Sequence, residues 1–97
     1  MANRNVYNTI YSGTKQISTS AQKISSTSIQ ARQGVTVLAS SGNVGSIYVG
    51  NSGVTATGGN EGFPLKGNLG VTLPIDDVSN IWVVGQNTTD RVHWTLV

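Results

Sequence analysis

Cysteine is absent from the 97 residues, and histidine occurs once, at His93. The first absence excludes disulfide scaffolds, Cys-ligated zinc, iron–sulfur clusters and thiol catalysis. The second excludes a metal site built on a pair of histidines. Charge is nearly as scarce, with Asp, Glu, Lys and Arg at 10% of the chain, against about a quarter in an average globular protein. No apolar run approaches the roughly 20 residues that span a bilayer. The opening MANRNVYNT has neither the apolar stretch nor the cleavage pattern of a signal peptide. The expectation is a soluble protein made in the cytoplasm, with no membrane association, and the length suits one small domain.

In place of charge the chain carries Ser (11), Thr (11), Asn (9) and Gly (12). These residues, with the β-branched ones, lose helix propensity or compete for backbone hydrogen bonds, so strands are expected almost throughout. Alternating runs appear at Gln33 to Ala39, Gly45 to Val49, Leu69 to Ile75, Asn80 to Gly85 and Arg91 to Val97. Four Gly-x-x-Gly pairs, at 42/45, 50/53, 59/62 and 67/70, punctuate them. That spacing fits the turns of an all-β antiparallel sandwich or barrel. The residues between the paired glycines carry no positive charge, which argues against a nucleic-acid clamp of the Gly-x-x-Gly kind. Inward candidates are Ile24, Val35, Val37, Ile47, Val49, Val71, Leu73, Ile81, Val83, Val92, Trp94 and Leu96.

Residues 1 to about 30 read differently. Ile10, Ile17 and Ile24 are seven apart, but Ser and Thr fill the positions between them, so no heptad is sustained. The expected arrangement is an extended arm over residues 1–16 and a β-domain over 17–97, the latter opening on edge strands around Lys15 to Thr19 and Ala21 to Ser26. So short a domain offers the arm little core, and Arg4, Tyr7, Ile10, Tyr11, Lys15 and Ile17 are therefore expected to contact a partner chain. A sister subunit is one such partner, because a small core without disulfide or metal gains from association.

Charge is unevenly placed. Arg4, Lys15, Lys23 and Arg32 precede every acid, giving +4 over the first 60 residues, whereas Lys66 and Arg91 against Glu61, Asp76, Asp77 and Asp90 leave −2 over the rest. Four dispersed cations are too few for the phosphate contacts that drive strong nucleic-acid binding, which is therefore not expected. Asp76 and Asp77 read as turn residues, and Glu61 and Asp90 as solvated loop acids. Neither calcium nor another cofactor is expected, and no catalytic set is present. Asn87-Thr88-Thr89 reads as a hairpin tip. By alternation His93 lies opposite Trp94, and Trp82 and Val84 lie opposite Ile81 and Val83, which makes Trp82 and His93 candidate contacts on the domain itself. Trp82 could serve as a platform for a sugar, a base or a subunit.

The stretch from Ser46 onward carries an ordered set of short motifs: Ile47 to Gly50, Ser52 to Thr55, Gly62 to Leu65, Val71 to Pro74, Ile81 to Val83 and Val92 to Leu96. As IYVG-x-SGVT, GFPL, VTLP, an Ile-Trp-Val strand and a short final strand, this set resembles small virion proteins of tailed bacteriophages over roughly residues 33 to 97. The resemblance implies a compact antiparallel β-sandwich or barrel serving as a head decoration, cement or fibre-attachment module, commonly trimeric. Its implied partner is the major capsid protein, and its implied location the capsid exterior. The alternative is a tail, collar or fibre component, or a module binding host glycan through Trp82.

Overall fold

The computed structural model describes residues 9–97. Eight strands form among the described residues, several of them rich in β-branched and aromatic residues. They are β1 (Tyr11–Gln16), β2 (Gln22–Lys23), β3 (Val35–Ala39), β4 (Ile47–Gly50), β5 (Phe63–Leu65), β6 (Gly70–Leu73), β7 (Trp82–Gly85) and β8 (Arg91–Leu96). A 3-10 turn, Val78–Asn80, precedes β7. All pairings are antiparallel and build two four-stranded sheets, ordered β1-β8-β3-β6 and β2-β7-β4-β5. The expected all-β antiparallel class is therefore the class observed.

Only β4 and β5 are both consecutive and paired; every other connection crosses from one sheet to the other. The crossings bury a shared core. Val35, Val37 and Ala39 of β3 and Val92, Trp94 and Leu96 of β8 meet Ile47, Val49, Leu65 and Val83 of the second sheet. Each large apolar side chain removed from water contributes about 1.5–3 kcal/mol. Ten of the twelve inward candidates are buried; Val71 and Leu73, on the edge strand β6, are partly so. Tight approach is needed at Gly13, where a Cβ would come 2.7 Å from Trp94 Cε2, so the indole lies across the bare backbone of β1.

The structure corrects several expectations. Tyr11–Gln16, expected in the arm, pair residue for residue with Arg91–Leu96. Ile17, expected as a partner contact, is 3% exposed and belongs to the core. It enters between the sheets against Gly85, where a Cβ would lie 2.7 Å from Ile17 Cγ2. Val84, expected to face outward, is buried: it stands across from Tyr48 on β4, and the chain before β2 flanks it on the other side. The segment Asn87-Thr88-Thr89 is no hairpin tip, since β7 and β8 lie in different sheets. Phe63–Leu65 forms a strand despite Pro64, which is tolerated because β5 is an edge.

Candidate interaction surface

The outward face of the first sheet follows from its register. Ser12, Thr95, Thr36 and Thr72 stand in one row across all four strands, and the next row holds Thr14, His93, Leu38 and Gly70. Thr36 and Thr72 share a hydrogen bond at 2.9 Å between hydroxyls. Thr14 Oγ1 and His93 Nδ1 share another at 2.9 Å, which fixes the imidazole ring on the sheet. These two rows carry no carboxylate and no Lys or Arg. At one end, Ile10, 72% exposed, lines a shallow hollow of about 340 Å³ together with Gln33, Thr36, Thr95 and Val97.

Among the predicted contacts, Ile10, Tyr11 and Lys15 lie on or beside β1 and His93 on the adjacent β8, but alternation turns Tyr11, 45% exposed, and half-buried Lys15 to the inner side of the sheet and His93 to the outer. Arg4 and Tyr7 lie outside the described residues. Trp82 sits apart on the second sheet, half-buried, with Lys23 Nζ 6.0 Å from its ring centroid. Four exposed apolar side chains were missed: Leu38, Val44, Phe63 and Leu69. Leu38 was accessible to reasoning, because alternation that turns Val37 and Ala39 inward turns Leu38 out. Val44, Phe63 and Leu69 lie in or beside turns, where periodicity carries no signal.

Two of the acids, Asp90 and Asp77, are structural. Asp90, expected as a solvated loop residue, is 2% exposed. Its carboxylate accepts from Val44 N at 2.8 Å and Gly45 N at 3.0 Å, tying the β3–β4 turn to the start of β8. Asp77 caps the 3-10 turn through Ser79 N and accepts from the Ser28 hydroxyl as well. The Ser28 hydroxyl, then the Ser79 amide and hydroxyl, hold its carboxyl below the ordinary value of 3.8. Among the described residues no group of three or more His, Cys, Asp or Glu could hold a metal, and no helix is long and apolar enough to cross a membrane.

A second apolar feature opens between the sheets on the β5–β6 side. Val49, Phe63, Leu73, Ile75 and Ile81 line a cleft of about 260 Å³, with Asn51 and Asn80 also on its wall. No protein-family model, no curated protein and no solved structure matches the chain.

Proposed function

We propose that the protein is a non-enzymatic structural component of a tailed-bacteriophage virion, held on the outside of the capsid by contact with the major coat protein. One observation carries the reading beyond the motif resemblance: Ile10, Tyr11, Leu38, Val44, Phe63 and Leu69 all stand exposed on a domain this small. Leu38 stands on the uncharged, hydroxyl-rich outer face of the first sheet and Ile10 at its end, an arrangement that suits a binding surface. The mechanism is mass action. A protein that binds assembled coat and not free coat subunits stabilises the shell by its binding free energy, repeated over many sites.

Sedimentation of the protein with assembled shells and with unassembled coat protein tests this. Binding to shells alone is expected, and Leu38→Asp should weaken it. Equal binding to free coat subunits, or binding to neither, overturns the proposal. Half-exposed Trp82 favours a second reading, a glycan-binding component of the tail or fibre. A stacking sugar would have to displace Lys23 from the ring, and quenching of tryptophan fluorescence by oligosaccharides reads that event directly.

A further inference from the structure

Each sheet has two edges, and three of the four are short or interrupted. β2 has two residues, β5 contains Pro64, and β6 has four residues followed by Pro74. Short strands and prolines are the usual means of preventing an edge from pairing. β1 has neither: it runs six residues in unbroken register with β8.

The backbone directions on β1 follow from one bond. Ile17 N donates to Asp90 O at 2.9 Å, continuing the register that sets Tyr11 across from Leu96. Bonded pairs alternate in an antiparallel ladder, so Tyr11, Gly13 and Lys15 bond to β8. The N–H and C=O groups of Ser12, Thr14 and Gln16 therefore point away from the sheet. Among the described residues no strand takes them.

We propose that this edge pairs with the same edge of a second copy, antiparallel about a two-fold axis at Thr14, which joins two four-stranded sheets into one of eight. Thr14 meets the partner's Thr14, and Ser12 meets the partner's Gln16. Every outward donor then finds an outward acceptor. The outer side chains brought together are uncharged. On the inner face, an inward lysine ordinarily guards an edge, but this register sets Lys15 across from the partner's Gly13, a residue without a side chain. Its stem can then run beside the indole that lies over that glycine. Tyr11, 45% exposed in the single chain, comes to lie across from the partner's Ile17. The two-fold closes on itself, unlike the three-fold arrangement implied by the virion resemblance. The inference rests on sheet geometry and not on the virion reading, so either can fail alone.

Cysteine substitution reads the register, because the chain has no cysteine of its own. In a bonded antiparallel pair the Cα atoms lie about 5.5 Å apart, within the roughly 4.4–6.8 Å a disulfide spans. Thr14→Cys should cross-link to a dimer on mild oxidation. Ser12→Cys should not, since the two copies of residue 12 are four residues out of register, roughly 13 Å. The unmodified protein should sediment at twice 10.1 kDa. Thr14→Pro, which removes an outward N–H at a position where an edge strand tolerates proline, should return it to the single-chain mass with its circular dichroism unchanged. If that variant fails to fold, the cysteine pair still decides. A single-chain or trimeric mass at the highest soluble concentration, equal cross-linking through residues 12 and 14, or a folded Thr14→Pro dimer would overturn the proposal.

Discussion

The two flanks of the sandwich are both formed where the chain crosses between sheets, yet they are filled differently. On the β1–β2 flank the crossing begins with Ile17, whose side chain enters the core against Gly85, while its amide bonds Asp90 O. On the β5–β6 flank the crossing is the turn Lys66 to Leu69, held by Leu69 N donating to Lys66 O and by Asn68 at φ 69. That turn contributes no buried side chain, and the cleft beside Phe63, Leu73 and Ile75 stays open. A crossing that turns its apolar residue inward, as at Ile17, helps to close the core. One whose apolar residue stays in solvent, as Leu69 does at 54% exposure, adds nothing to it.

Breaking the closed flank should have the largest effect. Ile17→Ala removes a buried branched side chain and leaves a cavity, which costs about 2–5 kcal/mol. In a chain of this size the melting temperature should fall by about 10 °C or more. A melting temperature close to that of the unmodified protein would show that Ile17 does not close the flank. Asp90→Ala acts at the same end. It leaves the Val44 and Gly45 amides without their acceptor, at about 1–3 kcal/mol for each group that stays buried, and faster amide exchange confined first to residues 44 and 45 is the expected signature.

The open flank should be forgiving. Phe63 is 49% exposed, and Phe63→Ser should move stability by no more than about 0.5 kcal/mol, measured by urea unfolding; a loss like that of Ile17→Ala would erase the contrast. The smallest effect belongs to Asp77, near Ile75 and Asn80 on the same side. Its folded pKa is lowered by the Ser28 hydroxyl first and by Ser79 next. The stability it contributes is therefore present above the unfolded value and lost as pH falls through the folded one. Asp77→Asn should unfold at lower urea than the unmodified protein at neutral pH, and the gap should narrow below pH 3.8.

What the sequence made legible follows the same division. Strands β3, β4, β7 and β8 combine β-branched residues with alternation, and their inward faces could be read directly at Val35, Val37, Ile47, Val83 and Trp94. Strand β1 could not. Its YSGTKQ has no apolar alternation, and its contribution to the core is a missing side chain, Gly13 beneath Trp94. Its partner strand is some eighty residues away in the chain, beyond any local pattern. Asp90 was misread for a related reason: a lone acid in a polar turn looks solvated until the chain brings Val44 and Gly45 to it. That Ile10 and Tyr11 find little core follows from the size of the domain, whereas the burial of Ile17 depends on a path between sheets that no residue type announces.

The pairing of the first described strand with the last also bears on how the molecule reaches this shape. Bringing Tyr11 beside Leu96 and threading β3 between β8 and β6 means that most native contacts join distant parts of the polymer, and topologies of that kind fold in milliseconds to seconds, far slower than helical bundles. During synthesis the first sheet lacks its second strand until β8 has left the ribosome. Until then β1 and β3 have no strand between them to pair with, whereas all four strands of the second sheet precede β8 in the chain.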